Sequence, residues 1–323
     1  MTRLFPLIAY KVMTVMLSIM SALGMISTPS VETPISPVDP ETVQLTFAAW
    51  GDPQVSNYLY EREANLVAAC NDIKNSAVKL DALVIAGDIA ENGLESEYRV
   101  VSEKLNELQD KVSNYIISYG NHDFRLKAYP LQSKRIANFH NGVSASKVSD
   151  HLYYSTEING YKFIVMNDDK TMFEEGFYCD EQLAWLDSEI ASTQDSGKPV
   201  FVVNHQPLKK THGLPGTWGA PKFLDAGSIG KQSDTVKGIF EKYNNVIYIT
   251  GHLHNGFSDY TYEDYGSFKA VNLPTVGCNN GDGYEEDGQG YVFEVYPDRI
   301  IGRARVFATG KYMPEYDFTI ELN

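Results

Sequence analysis

The sequence predicts a layered α/β domain, on three observations. From Leu45 onward, short apolar runs alternate with amphipathic helical stretches, the order in which helices cover a sheet. Asp81 to Ala86 is almost continuously apolar, as a strand covered on both faces must be. Run after run then ends in polar residues, as strands do when they deliver side chains to one edge of a sheet. A length of 323 residues allows one or two domains, and no internal repeat or low-complexity block interrupts the chain.

The elements follow in order. Arg3 and Lys11 precede the uncharged apolar stretch from Val12 to Ile26, with small residues at Ala22-Leu23-Gly24. This predicts a secretory signal peptide over 1–27 or, because Leu4 to Ile26 is broken only by Lys11, an uncleaved membrane anchor. Either places the protein outside the cytoplasm, secreted or held on the extracytoplasmic side. Pro29, Pro34, Pro37 and Pro40 forbid a helix over 28–43, which reads as an extended linker. Residues 44–323 are read as the folded domain.

Within it, Leu45–Trp50 is a strand ending at Gly51-Asp52-Pro53-Gln54, and Glu61–Asn75 is a helix. The strand Asp81–Ala86 ends at Gly87-Asp88, a helix spans Glu95–Leu108, and the strand Tyr115–Tyr119 ends at Gly120-Asn121-His122-Asp123. Tyr129–His140 reads as a helix, and Tyr153–Thr156 with Lys162–Asn167 forms a hairpin about Asn159-Gly160. Asp180 reads as the cap of a helix whose Leu183, Leu186 and Ile190 share a face, with Gly197 beyond its end. Pro199–Asn204 is a strand ending at His205, and a Gly-rich loop runs from His212 to Gly230. A helix over Thr235–Tyr243 precedes the strand Val246–Thr250, which ends at Gly251-His252-Leu253-His254. The tail alternates like antiparallel strands, over Lys269–Leu273, Tyr291–Tyr296, Ile300–Phe307 and Tyr316–Glu321.

Charge narrows the partners. Lys+Arg 27 against Asp+Glu 42 gives a net charge of -15, which repels a phosphate backbone and disfavours long nucleic acid. A small phosphorylated substrate stays compatible, because a local metal charge outweighs the global field. Cys70, Cys179 and Cys278 are too few for a disulfide framework and too scattered for a zinc ribbon. Cys70 reads as a core residue and the other two as free thiols, unless an oxidising compartment pairs them.

Five predicted strands thus end in metal-competent residues: Asp52, Asp88, Asn121, His205, and the pair His252 and His254. Singly, each has an ordinary reading as a turn residue, helix cap or core histidine. Together they define a site, because strand carboxyl ends in an open α/β sheet converge on one crevice. Carboxylate, imidazole and amide ligands without thiolate suit divalent Mn, Fe or Zn.

In these blocks the sequence resembles the calcineurin-like metallophosphoesterase superfamily, whose pattern runs Asp-x-His, Gly-Asp, Gly-Asn-His-Asp/Glu, His and Gly-His-x-His. The resemblance covers roughly residues 45–300. It implies a sandwich of two mixed sheets flanked by helices, and a phosphoesterase using two divalent metal ions. Position by position, it implies that Asp52, Asp88 and His254 hold one metal and Asp88, Asn121, His205 and His252 the other, with Asp88 as the bridge. The usual histidine of the first block is here Gln54, a weaker amide ligand. His122 would be the general acid, with Asp123 fixing its ring, against a hydroxide held between the metals.

Other residues are open. Arg125 reads as a surface ion-pair partner rather than a phosphate ligand, and His212-Gly213 and Trp218-Gly219 either line the pocket or pack their loop. Asp282, Glu285, Glu286 and Asp287 lack calcium-loop spacing and read as solvated. The absence of Asp-Arg-Gly in Gly87–Gly93 argues against a protein phosphatase, and Ile89-Ala90 after Asp88 against an Fe(III)-binding tyrosine. The expectation is an exported hydrolase of a phosphate monoester or diester. The alternative is a non-catalytic binding module with a first metal site left incomplete by Gln54.

Overall fold

Alternation with a period of two sorts the central strands between two cores. Phe201 and Val203 enter one core and Val200 and Val202 the other, and Ile247 and Ile249 part from Val246 and Tyr248 in the same way. Such a sheet needs cover on both sides. The computed structural model describes residues 33–221 and 226–322, so the leader predicted over 1–27 and the start of the linker lie outside the described residues.

The first sheet begins with three parallel strands, β1 (Leu45–Trp50), β2 (Ala82–Ala86) and β3 (Tyr115–Ser118), joined through helices α1 (Tyr60–Lys74) and α2 (Glu95–Asn106). Short helix α3 (Asn121–Phe124) and helix α4 (Tyr129–Val143) lead to the predicted hairpin of β4 (Tyr154–Ile158) and β5 (Tyr161–Val165). Next come α5 (Asp180–Ala191), β6 (Val200–Val203), α6 (Ser233–Phe240), β7 (Val246–Thr250), β8 (Tyr262–Asp264) and β9 (Phe268–Asn272). The second sheet has the order β4-β5-β6-β7-β9-β8, parallel from β5 to β9 with antiparallel edges. The chain then returns to the first sheet. Strand β10 (Gln289–Val295) pairs antiparallel with β1, and β11 (Arg299–Val306) with β10, before β12 (Lys311–Tyr312) and β13 (Phe318–Glu321) share the far edge.

Between the sheets lies an aromatic centre. Phe47 stacks on Phe293 at 4.7 Å and meets Phe163 and Phe201 edge-on at 5.5 and 5.2 Å, joining β1 and β10 to β5 and β6. Such pairs add about 0.5–1.5 kcal/mol each beyond their buried area. Leu183, Leu186 and Ile190 of α5 and Val236, Ile239 and Phe240 of α6 close the outer face of the second sheet, and Leu66, Ala69, Val101 and Leu105 of α1 and α2 join the core of the first. The sandwich of two mixed sheets with flanking helices is therefore present.

Four local expectations are revised. The segment read as the first antiparallel tail strand is β9, which runs parallel to β7 and is antiparallel only to the short β8. Asp180 does not cap α5; Cys179 stands at the cap, its sulfur accepting the Gln182 N–H at 3.5 Å. Gly197, in the left-handed region at φ 65, closes a short 3-10 turn rather than α5 itself. The Pro-rich stretch is irregular as expected, yet its described part is docked. Ile35 is buried, Arg303 donates to Ser36 O at 2.8 Å, and the buried Arg305 bonds both Asp72 and Thr33 O.

Buried His140, on α4, predicts acid sensitivity. Its Nδ1 lies 3.0 Å from the Tyr119 hydroxyl and its Nε2 2.7 Å from Ser146 O, so the neutral ring is fully satisfied, with Nε2–H as donor and Nδ1 as acceptor. Burial lowers its pKa to about 4. Between the ordinary value of about 6.5 and about 4 the unfolded chain binds a proton that the folded one refuses, so stability falls with pH across that window. The expected loss is on the order of 2–3 kcal/mol. Urea denaturation from pH 7 to 4 checks it: the slope should flatten in His140→Gln, and an unchanged slope would remove His140 as its origin.

Candidate metal centre

Strand ends bring the ligands together. Asp52 follows β1, Asp88 follows β2, Asn121 opens α3 behind β3, His205 follows β6, and His252 and His254 follow β7. After β1, β2 and β7 the backbone turns sharply. Asp52, Gln54, Asp88, His252 and His254 all have positive φ, between 42 and 75, and they make up five of the eight non-glycine residues so placed among the described residues. Left-handed backbone costs of order 1 kcal/mol or more per non-glycine residue, so strain is concentrated at the site.

Glycines allow the close approach. A Cβ on Gly120 would stand 2.2 Å from Asp88 Oδ1, and one on Gly87, itself at φ +84, 2.2 Å from His205 Nδ1. Two clusters of ligand atoms result, Asp88–His205–His252 and Asp52–Asp88–His254, each with its atoms within 4.8 Å of one another. Asp88 belongs to both.

Tautomers show what the clusters are built for. His205 Nδ1 lies 3.0 Å from Ala86 O, and His254 Nδ1 3.1 Å from Cys278 O, so each donates to a carbonyl and turns Nε2 inward. His205 Nε2 then meets Asn121 Oδ1 at 3.2 Å, Asp88 Oδ2 at 3.3 Å and His252 Nδ1 at 3.1 Å. His254 Nε2 faces Asp52 Oδ1 at 3.5 Å. Acceptors converging on acceptors need a cation between them. Gln54 Oε1, two residues after Asp52 in the chain, is also buried and without a hydrogen-bond partner. The chemistry of the two clusters therefore fits divalent metal ions.

The local field agrees. Burial works against a charge on His205, but Asp88, followed by Asp52, outweighs it and pushes the imidazole up to about 10. The site thus attracts a positive charge even onto a buried ring. Asp88 itself is buried, yet His205 and His122 hold it below the usual carboxylate range.

The expected pairing of His122 with Asp123 is not present. Asp123 turns away into the protein, accepting from the backbone N–H of Gly120, Ile89 and Ala90 at 2.9, 3.1 and 3.0 Å and from the Tyr98 hydroxyl at 2.9 Å. These bonds join the second block to the third. His122 is held by Glu91 instead: Nδ1 donates to the Glu91 carbonyl at 3.0 Å and lies 3.4 Å from its carboxylate, which also pairs with Arg62 and, at 3.0 Å, with Arg125. Arg125 is thus an ion-pair partner, as expected. Glu91 escaped the sequence reading, although it lies within the Gly87–Gly93 block, because spacing does not show which way its carbonyl points.

An open cleft of about 300 Å³ lies over the centre, lined by Asp88, Asn121, His122, His252 and His254 together with Arg62, Glu174, Trp218 and Asn280. Trp218 stacks on His252 at 4.6 Å, whereas His212 is buried and bonds Tyr260 O, so the loop divides its two candidates between pocket and packing. Asp282, Glu285 and Glu286 are exposed, as expected of a solvated run, whereas Asp287 is half-buried and accepts from the Asn279 N–H at 2.8 Å. Cys70, Cys179 and Cys278 are free thiols.

Fold, strand-end ligands and cleft define a metallophosphoesterase, and the chain belongs to the calcineurin-like phosphoesterase family, whose profile matches residues 45–256. Among named relatives, a probable cyclic nucleotide phosphodiesterase of Fibrobacter succinogenes is 27% identical over 195 residues, 59% of this chain and 63% of that protein. A 3′,5′-cyclic-nucleotide phosphodiesterase of Nostoc is 24% identical over 194 residues, 60% and 63% of the two chains. The matched region therefore spans less than two thirds of either relative. Among solved structures, a dimetal phosphatase from Danio rerio superposes with a TM-score of 0.57 at 15% identity, over 87% of this chain and 100% of its own. A purple acid phosphatase from yellow lupin seeds does so with a TM-score of 0.61 at 14% identity, over 86% and 53%. At such identities the likeness is one of fold.

Proposed function

We propose that the protein is an exported metal-dependent phosphodiesterase acting on small esters of the cyclic-nucleotide kind. The observation that carries the reading is the pair of ligand clusters sharing Asp88, in one of which His252 Nε2 is buried without a hydrogen-bond partner. The named relatives support the ester class, and a cleft of about 300 Å³ suits a small substrate. The apolar leader from Val12 to Ile26 supports export, whether cleaved or retained as an anchor.

Two divalent cations, when bound, neutralise phosphoryl oxygens and lower the pKa of an attacking water. Asp88 supplies the negative charge common to both sites, and Asp52, Gln54 and His254 complete one while Asn121, His205 and His252 complete the other. His122 does the remaining chemistry. With Nδ1 committed to Glu91 O, its Nε2 is the nitrogen that hands a proton to the departing alkoxide. Burial opposes a charge on this ring, but Asp88 and then Glu91 raise its pKa, which favours the protonated form that a general acid needs.

The deciding experiment measures metal content and hydrolysis of bis-p-nitrophenyl phosphate, p-nitrophenyl phosphate and 3′,5′-cyclic AMP before and after adding Mn, Zn or Fe. Two metals per chain with diester turnover are expected. One metal or none, without turnover under any supplementation, would replace the enzyme by a binding module.

A further inference from the structure

Of the three ligand histidines, His252 alone leaves its outer nitrogen idle. Its Nδ1 stands 3.1 Å from His205 Nε2 and so faces the cluster of Asp88, His205 and His252, whereas its Nε2 is buried without a hydrogen-bond partner among the described residues. His205 and His254 instead donate from their outer nitrogens to Ala86 O and Cys278 O. A neutral imidazole that gives Nδ1 to a cation carries its proton on Nε2. Buried and unpaired, that N–H costs about 1–3 kcal/mol, and nothing holds the ring in the tautomer a metal needs.

Glu174 faces it. Its Oε2 lies 4.0 Å from His252 Nε2, beyond a hydrogen bond, and both residues line the metal cleft. Rotation about the Glu174 side-chain bonds can close that gap, because the side chain is 36% exposed and its backbone is held. Glu174 sits in the connection between β5 and α5, and this connection hangs on the block that carries His205. The buried Gln206, next to His205, donates from Nε2 to Glu174 O at 3.3 Å, and the Gly176 N–H donates to Ile229 O at 3.2 Å. Burial raises the Glu174 pKa and His122 works against it, but either protonation state offers an oxygen that accepts.

We propose that Glu174 is the positioning residue of the metal site formed by Asp88, His205 and His252: its carboxylate accepts the His252 Nε2–H when a divalent cation takes Nδ1, fixing the ring's tautomer and direction. The proposal rests on the two-metal reading and adds a residue that lies outside all the strand-end blocks. It also couples two ligands of one ion, since the backbone of Glu174 is tied to the neighbour of His205 while its side chain reaches His252.

Zinc titrated calorimetrically onto the metal-free full chain tests this with no substrate present. The wild type should bind two ions. Glu174→Ala should weaken one binding step by about 10- to 100-fold and leave the other unchanged, the usual worth of a hydrogen bond behind a ligating histidine. Glu174→Gln, whose amide oxygen still accepts, should recover most of that loss. In zinc-loaded protein carrying ¹⁵N-labelled histidine, the His252 Nε2–H should exchange slowly with solvent in wild type and in Glu174→Gln, and rapidly in Glu174→Ala. Wild-type affinities in Glu174→Ala overturn the proposal. So does an equal loss at both steps in the two variants, which marks the charge of the cleft rather than a bond to His252. A wild type that takes up no zinc sinks the two-metal reading and this inference with it, whereas two ions in the wild type and an unmoved Glu174→Ala sink this inference alone.

Discussion

Asp88→Asn is expected to lower the metal content from two ions per chain to one at most and to reduce diester turnover by roughly 10³-fold or more. The magnitude follows from the several kcal/mol of charge stabilisation that a metal pair supplies, at 1.36 kcal/mol per decade. The fold should survive. Asparagine accepts the left-handed φ of 43 at this position, and its Oδ1 can keep the 2.9 Å bond from the His122 N–H. Because His205 and His122 stabilise the Asp88 charge in the metal-free fold, the variant's melting temperature should fall, and the increase on adding metal should shrink. Elemental analysis beside thermal melts checks all of this, and two ions retained by the variant would overturn the sharing of Asp88.

His122→Ala should divide substrates by leaving group. For 3′,5′-cyclic AMP, whose alkoxide needs a proton, kcat should fall by about 10²–10⁴-fold. For bis-p-nitrophenyl phosphate, whose nitrophenolate departs unaided, the loss should be slight. Glu91→Gln adds a pH readout. The acid works only while protonated, so kcat/KM falls as pH rises through its pKa; Glu91 raises that pKa, and removing its charge should move the alkaline limb to lower pH. Equal losses on both esters for His122→Ala would end the general-acid role, and an unmoved limb in Glu91→Gln would limit Glu91 to orientation.

Much of the site was legible because its ligands sit where strands stop, and apolar runs make strand ends visible. Asp52, Asp88, Asn121, His205, His252 and His254 were all found in this way, and the structure brings them to one place. The contacts made after the chain turns were not legible. Asp123 adjoins His122 in sequence, but one turn of α3 sends its carboxylate inward to three backbone amides while the imidazole crosses to Glu91. Positive φ at Asp52, Gln54, Asp88, His252 and His254 had no turn signal in the sequence, because packing imposes it against local preference. Likewise β9 read as an antiparallel tail strand, since strand direction depends on which neighbour a strand finds, and the Pro-rich stretch gave no hint of the buried Arg305 that receives it.

The placement of β10 has a consequence for how the protein is made. Asp52 is anchored by β1, and β1 is an interior strand only once β10 has paired with its free side. Every ligand has been synthesised by His254, yet β10 is complete only at Val295, 41 residues later (295 minus 254). At about 5–20 residues per second the ribosome needs roughly 2–8 s for that interval. During it the nascent chain holds all seven candidate ligands and an apolar sheet edge open to other chains. A chain stopped near residue 256, with the whole matched family region already made, would keep that edge permanently. The last strands of the sequence are therefore what turns a set of ligands into a metal centre, and ions present earlier would meet an unfinished sheet.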